Sequence, residues 1–577
     1  RHFARNIVEF SIPQFIVKRD VRSLGIRDSP GIRYRLPHRF GGNTMDNQNF
    51  DYIVVGAGSA GSVLANRLSA NPTYRVLVLE AGRESHPWSR VPVGFAKLIE
   101  NPAANWLYSS EPEPATGNRR IPIPRGKLLG GSSSINGMVF VRGQSQDYDT
   151  WAQLGNRGWS YREVLPIFRD MESYQGEGDD EYRGRNGPLK VTENIESGPI
   201  YDALIKAAGE VGIKYTNDYN GASQDGIGMT QATIRKGRRM STAFCYLDPA
   251  RGRPNLTIQA NALTECLLLD GKRCVGVRYT LNGKQHEARA SREVIVSGGS
   301  INSPQLLELS GIGQPDLLQG LGIEVRHALK GVGENLRDHY SPRMKWTVPR
   351  ALGLTYNDKG RGLGLVWQAL KYALTDKGLL GLPASPIRAY VRTRAGLDAP
   401  DAAISWIPFL AGANFKLAKD SGVTAITNIL RSESTGSIHI TSKAPNRPPA
   451  VRFNFLSAQL DRDVTLEAMR ITRRIMTAPS MQGIATDEIA PGLNIQSDDE
   501  LLDWVKRNAE TTYHPVGTCK MGSDPMAVVD DQLRVHGMEG LRIADASIMP
   551  TLTSGNTNAP SIMIGEKAAR MVLAAAA

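Results

Sequence analysis

Three glycines constrain the first hundred residues more than any other feature. Gly56-Ala-Gly58-Ser-Ala-Gly61 follows directly on the apolar run 51–55. It leads into a helical pattern over 62–68, in which Val63, Leu64 and Leu68 stand on a helical spacing. A second apolar run, 74–79, ends at Glu80. Strand, glycine loop, helix and strand in this order predict a βαβ unit with buried parallel strands. In such a loop Gly56 permits the tight turn, Gly58 lets the backbone approach a pyrophosphate, and Gly61 lets helix and strand pack closely. The helix N-terminus at Ser59 and Ala60 offers unpaired N–H groups and a positive dipole end to the phosphates. Glu80 stands 24 positions after Gly56, where a carboxylate accepts ribose hydroxyls. The unit predicts dinucleotide binding and does not by itself separate NAD from FAD.

The 577 residues leave room for two to four domain-sized units, and 41% hydrophobic with 22% charged residues is a globular composition. The net charge is +12, of which residues 1–44, with nine Lys/Arg and three Asp/Glu, carry +6. No basic-and-aromatic strip accompanies the excess, so a nucleic-acid partner is not expected. No run of 18 apolar residues occurs, which argues against an integral membrane segment and leaves peripheral membrane association open. Residue 1 is Arg and the first Met is Met45. Residues 1–49 lie outside the pattern of the rest; a presequence fragment, an over-extended gene start and a real extension are all compatible with them. Cys245, Cys266, Cys274 and Cys519 are spread singly, without metal-ligand or disulfide spacing. A reducing, cytoplasmic-type compartment and no metal site are the expectations.

Strand patterns return at 256–259, 265–269, 274–279 and 294–297, with a hairpin turn at Asp270-Gly271. Before them comes Gly126-Lys-Leu-Leu-Gly130-Gly131-Ser-Ser-Ser-Ile-Asn136-Gly-Met-Val-Phe140-Val-Arg-Gly143. A glycine turn, three hydroxyls and an amide suit close approach to a phosphate and a polar ring edge, although a tight structural loop has the same composition.

This segment resembles the first signature of the glucose–methanol–choline oxidoreductases. Three further stretches are similar to motifs of that family, in the family order: 299–313, from Gly299-Ser-Ile-Asn to Ser310-Gly311-Ile-Gly313; 331–339, Gly331-Val-Gly-Glu-Asn335-Leu-Arg-Asp338-His339; and 540–547, with Asp545. The likeness runs from about Phe50 to Leu573, and the choline-dehydrogenase-like branch looks nearest. The resemblance implies an α/β fold: a Rossmann-like FAD-binding domain assembled from 50–150, 255–335 and 525–577, with an inserted substrate-binding domain, 151–254 and 336–524, built on an antiparallel sheet with helices. It implies FAD held by Gly56, Gly58, Ser59, Ala60, Gly61, Glu80, Gly131, Ser132, Asn136, Gly137, Val139, Thr264, Asp545 and Ala546. Some relatives attach the flavin through a His immediately before the signature Asn. Here that position is Ile135, so non-covalent FAD is expected.

Tyr513-His514-Pro515 and Ser554-Gly-Asn556-Thr-Asn558-Ala-Pro560 complete the resemblance. In the family the first motif supplies an active-site histidine and the second its Asn or His partner. Asn558, 44 positions after His514, takes that place by its spacing to the following Gly565-Glu566; Asn556 is the neighbouring candidate for it, or else a flavin contact. An imidazole takes a proton near neutral pH, and a carboxamide orients the oxygen. The expected reaction is therefore oxidation of an alcohol, primary by preference, to the aldehyde, with hydride passing to flavin N5 and then to a quinone, a dye or oxygen. Thr512, where some oxidases of the family carry an apolar residue, favours a dehydrogenase. A non-redox lyase or a light-driven decarboxylase of the same fold is the alternative reading. Cys519 is expected to be a small buried residue, and Asp530-Asp531 a solvated turn.

Overall fold

The computed structural model describes residues 49–193, 197–411 and 417–576; the N-terminal extension up to residue 48 and its Met45 start lie outside the described residues. Strand β1 (Asn49–Val55), helix α1 (Ser59–Leu68) and strand β2 (Val76–Leu79) form the expected βαβ unit, and Ile53, Val54, Val76 and Val78 are fully buried. Further on come β3 (Leu256–Gln259), β4 (Ala262–Asp270), β5 (Arg273–Leu281) and β6 (Lys284–Val296). Together they make a seven-stranded mixed sheet in the order β3-β2-β1-β6-β5-β4, with Leu541–Ile543 also pairing β6. The hairpin between β4 and β5 turns at Gly271-Lys272, with Gly271 at φ 56°, between the paired Asp270 and Arg273.

Strand β6 is longer than the apolar run at 294–297 suggests. Its first half pairs antiparallel with β5, Lys284 opposite Leu281, while its last three residues pair parallel with Leu541–Ile543. Within 284–293 only Ala288 and Ala290 are buried, so this half carries no apolar signature. Helix α2 (Gly299–Leu309) follows β6, and α4 (Asn558–Ala576) packs on α1. A Cβ on Gly565 would lie 2.8 Å from the Ala60 carbonyl oxygen, so the approach of these two helices requires glycine. The buried Glu566 carboxylate accepts a two-point bond from Arg67, at 2.7 and 2.8 Å, and the Tyr246 hydroxyl at 2.9 Å.

A second, six-stranded antiparallel sheet runs in the order Glu488–Ala490, Arg343–Thr347, Gly422–Ile429, Ala402–Ile407, Ile387–Val391 and Gly226–Met229. Helix α3 (Gly362–Thr375) lies in the connection between its strands 343–347 and 387–391. Alternate residues of a strand face opposite sides. Ala389, Ile404, Trp406, Val423 and Ala425 accordingly enter the core with the helix Gln459–Met476, and Arg388, Tyr390, Ser405, Thr424 and Asn428 line a cavity on the other face. The seven-stranded sheet contributes the ends of β1, β2 and β6 to the same cavity.

Gly61 tests the close packing of this frame. A Cβ there would stand 1.9 Å from the Gly56 carbonyl oxygen, which is backbone and cannot rotate away. Gly61→Ala is expected to lower stability by about 3 kcal/mol, read as a drop in the urea midpoint. In the control Gly209→Ala the new methyl meets nothing within 4 Å. That change should be neutral or stabilising by up to about 1 kcal/mol.

Candidate active site

The cavity between the sheets encloses about 1370 Å³. This exceeds the roughly 300–1,000 Å³ of common ligand pockets and leaves room for a dinucleotide beside a substrate. Every site residue singled out in the sequence lines it except Gly61, which packs beneath the loop.

One end has the chemistry of a dinucleotide cradle. Gly56 sits at φ 96°, where a Cβ would press on the Ser297 carbonyl oxygen at 2.5 Å, whereas a Cβ on Gly58 would enter open space. Gly131 approaches the Gly58 Cα so closely that a Cβ would stand 2.8 Å from it. Helix α1 starts at Ser59 with no side-chain cap and no acidic residue in its first turn, so its N–H groups are left for an anion. The buried Glu80 carboxylate accepts the N–H groups of Ala57 at 3.0 Å and Gly82 at 2.8 Å. Burial pushes it up to about 7 against the pull of those N–H groups and Lys127. A diol donating into it would offset that burial. Thr264 Oγ1 is buried in the wall without a partner among the described residues. Ser132 Oγ accepts from Gly126 N at 3.2 Å, and Asn136 Oδ1 accepts from Met138 N and from Arg239. Asp545 ties the last strand of the sheet to α2, accepting from Gly299 N at 2.9 Å, Ser303 Oγ at 2.6 Å and Ser547 N at 2.8 Å. Gly137, Val139 and Ala546 complete the lining. These residues fit FAD.

The other end is built around His514. Tyr513 before it holds a left-handed φ of 68°, with its N–H on Thr511 Oγ1 at 2.7 Å. The backbone N–H of His514 donates to Asp338 Oδ1 at 2.9 Å, so the 331–339 stretch anchors the turn that aims the ring. His514 Nδ1 lies 3.0 Å from His339 Nδ1 and 2.9 Å from Thr512 Oγ1; its Nε2 lies 2.9 Å from Asn556 Nδ2. His339 Nε2 is 2.9 Å from the Leu430 carbonyl oxygen, and Arg388 Nη1 donates to Asn556 Oδ1 at 3.1 Å.

These bonds assign the protons. A carbonyl only accepts, so His339 Nε2 carries its hydrogen and His339 Nδ1 is an acceptor. His514 Nδ1 must then donate to it. At the other end Arg388 fixes the carbonyl side of Asn556, which turns the Asn556 NH₂ toward His514 Nε2. That nitrogen is therefore left without a hydrogen, a lone pair at the edge of the cavity. His514 is held well below its ordinary value, first by burial and then by His339, Arg125 and Arg388; its accessible edge meets the cavity rather than bulk water. Burial pushes His339 down to about 4. Both rings are neutral at pH 7.

The geometry corrects one pairing. Asn558, expected beside His514, instead opens α4 and accepts the Ser59 hydroxyl at 2.8 Å, while Asn556 meets the histidine. Counting back from Glu566 is reliable only within the helix. The segment before it is irregular, with Gly555 at φ 149°, and counting cannot say which amide turns inward. His339 and Arg388 were not among the expected site residues. The Asp338-His339 motif signals the first, whereas a lone Arg on an apolar strand signals nothing. His536, bonded to the Gly522 carbonyl, does not line the cavity. Cys519 is fully buried with its thiol held well above its ordinary value, and Asp530 and Asp531 pair with Arg534 and Arg157.

Residues 50–341 and 432–565 match the N- and C-terminal family models of the GMC oxidoreductases. The chain belongs to this family. It is an FAD-dependent oxidoreductase acting on CH–OH donors and resembles choline dehydrogenases. The oxygen-dependent choline dehydrogenase of Brucella suis biovar 1 (strain 1330) is 42% identical over 531 residues, which cover 91% of this chain and 95% of the relative. A namesake from Chromohalobacter salexigens is 42% identical over 539 residues, with the same coverage of both chains. Among solved structures, pyridoxine 4-oxidase from Mesorbium loti superposes with a TM-score of 0.82 at 30% identity, covering 90% of this chain and 99% of that one. A formate oxidase from Aspergillus oryzae RIB40 reaches 0.85 at 26% identity, covering 92% and 99%. Among the described residues no helix is long and apolar enough to cross a membrane, and no group of three or more His, Cys, Asp or Glu could hold a metal ion.

The open space at Gly58 separates folding from cofactor loading. Gly58→Leu should fold with wild-type far-ultraviolet circular dichroism and purify without the visible flavin band, because its side chain fills the place of the phosphates. A yellow Gly58→Leu protein with full FAD content would contradict the assignment of this loop.

Proposed function

We propose that the protein oxidises a primary alcohol to the aldehyde, with His514 as the base. The supporting observation is the bare Nε2 of His514 at the cavity edge, beside the Asn556 amide. The His339–Leu430 bond presets this tautomer, so no proton has to be moved before the alcohol binds. His514 Nε2 takes the hydroxyl proton and Asn556 Nδ2 donates to the oxygen as it becomes alkoxide-like. The imidazolium so formed keeps its Nδ1–H on His339 and Thr512. Bound FAD supplies the hydride acceptor for the carbon-bound hydrogen. The role expected of Asn558 thus passes to Asn556, and Asn558 helps to hold the α1 N-terminus.

Two finer readings accompany this one. FAD is bound non-covalently: the residue before Asn136 is Ile135, aliphatic and buried. Acid precipitation should therefore release all flavin to the supernatant, and a yellow pellet would show a covalent link. The acceptor is a quinone or dye rather than oxygen, on the ground that Thr512 places a hydroxyl beside His514. The curated relatives bear the name oxygen-dependent choline dehydrogenase, so turnover is to be measured with both kinds of acceptor.

His514→Ala should keep its flavin spectrum and lose about 10²–10⁴-fold in the anaerobic rate of flavin reduction. Asn556→Ala should slow the same step, and the double variant should lose less than the product of the two effects, since both groups act on one oxygen. Asn558→Ala should alter FAD retention more than reduction. Because His514 is held below its ordinary value, the reduction rate should rise with pH through that lowered pKa and be level above about 6.5. Reduction near the wild-type rate in His514→Ala would remove the reading. A lyase of the same fold would leave the flavin band unbleached by any substrate.

A further inference from the structure

Arg388 is a cation that the mechanism above uses only through its neighbour. It projects from the strand Ile387–Val391 into the cavity that holds His514, and it is 6% exposed. Its partners are neutral: Tyr390 OH at 3.0 Å, Asn556 Oδ1 at 3.1 Å and Ser405 Oγ at 3.4 Å; its Nε has no partner among the described residues. No carboxylate of the described residues lies within ion-pair distance of it. The other charged groups at this end do not compensate. Glu510 is bound to Arg343 at 2.6 Å, Arg125 and Lys345 add positive charge, and Asp338 is enclosed by Thr511 and the backbone of His339 and His514. Glu80 and Asp545 belong to the dinucleotide end. A buried, unpaired charge is costly and wants a counter-ion.

We propose that the alcohol oxidised here carries an anionic group, a carboxylate, that Arg388 receives. This rests on the reading of His514 as the base of alcohol oxidation. Arg388 reaches His514 Nε2 through the single Asn556 side chain, so the carboxylate and the hydroxyl-bearing carbon are close and short hydroxy acids are the class that fits. A quaternary ammonium would meet like charge at the same place, which sets this chain apart from what its relatives' names imply.

Holoenzyme titrated with propionate, which has no hydroxyl to oxidise, should show a saturable change in the flavin band. Tetramethylammonium should bind at least about tenfold more weakly, the discrimination expected of one charge-assisted hydrogen bond. Arg388→Met should lose propionate affinity by about tenfold or more, and Arg388→Lys should keep part of it, with FAD content checking that both variants are loaded. Turnover of 3-hydroxypropionate should exceed that of choline in kcat/KM. Unchanged propionate affinity in Arg388→Met, or tetramethylammonium binding as tight as propionate, overturns the proposal. Failure of every alcohol to reduce the flavin would remove the alcohol reading while propionate binding still reports on Arg388.

A separate observation concerns α3. Leu363, Val366, Trp367, Leu370 and Leu374 are 89%, 62%, 63%, 47% and 69% exposed. Their spacing of three, four, seven and eleven residues from Leu363 places them in one stripe. The opposite side of the helix is anchored by Ala369 and Tyr372, packed with Leu380, and the same segment lines the cavity through Leu365 and Leu379. Basic residues surround the stripe. Lys359 and Arg361 precede it, Lys371 and Lys377 flank its end, and the hairpin carrying Lys236 and Arg238 abuts Asp376, where the Tyr372 hydroxyl donates to the Gly237 carbonyl. An exposed apolar stripe with a basic rim is complementary to an anionic bilayer surface.

The structure assigns this face to the surface of a membrane containing anionic phospholipid. Holoenzyme should sediment with vesicles of phosphatidylcholine and phosphatidylglycerol and much less with phosphatidylcholine alone. The combined change Leu363→Ser, Trp367→Ser and Leu374→Ser should abolish sedimentation without altering turnover with a soluble dye. Wild-type protein left in the supernatant, or binding that survives the triple change, overturns the assignment. So does a dimer in analytical ultracentrifugation that the triple change dissociates, because the stripe would then belong to a second copy of the chain.

Discussion

Strand β6 is the member on which the rest of the molecule is assembled. Along one edge it pairs with β1, and along the other with β5 and then with Leu541–Ile543, so three distant stretches of chain take their register from it. Its end carries the carbonyl of Ser297 against which Gly56 turns, and the Ser297 hydroxyl donates to the Ala544 carbonyl at 2.8 Å. The glycine loop, α2 and Asp545 thus converge on one point. A side chain at position 56 would break that convergence, which is why the motif is a property of the sheet as much as of the ligand.

The His514 end of the cavity is fixed by a different principle, the conservation of hydrogen-bond direction. Leu430 supplies a group that only accepts, Arg388 one that only donates, and the rings and the amide between them have two orientations each. With both ends polarised the intermediate choices vanish. The alternative tautomers would set donor against donor or lone pair against lone pair in a buried setting, at a cost comparable to an unmade buried hydrogen bond.

The first sheet was readable because its signals are local. The βαβ unit, Glu80 and the hairpin at Gly271 are written in adjacent residues, and the family motifs carry the loops that join them. Half of β6 was not, since its alternation of short and polar residues leaves no apolar run. His514 was reached through its motif, whereas the choice between Asn556 and Asn558 depended on the path of an irregular segment. Arg388 was out of reach in principle. Its significance comes from the absence of an ion-pair partner among the described residues, and a chain read in one dimension contains many arginines and no distances.

The alternation of the second sheet has an evolutionary corollary. On each strand the residues that enter the core and those that face the cavity are interleaved one by one, Ala389 beside Arg388 and Tyr390, Ile404 and Trp406 around Ser405. Stability and selectivity are therefore written on the same strands in separate alphabets. Exchanging the cavity-facing set can retune the pocket's charge and shape while every buried apolar neighbour stays in place. A scaffold of this kind can diversify its substrates through single-residue steps, none of which has to pass through a damaged core.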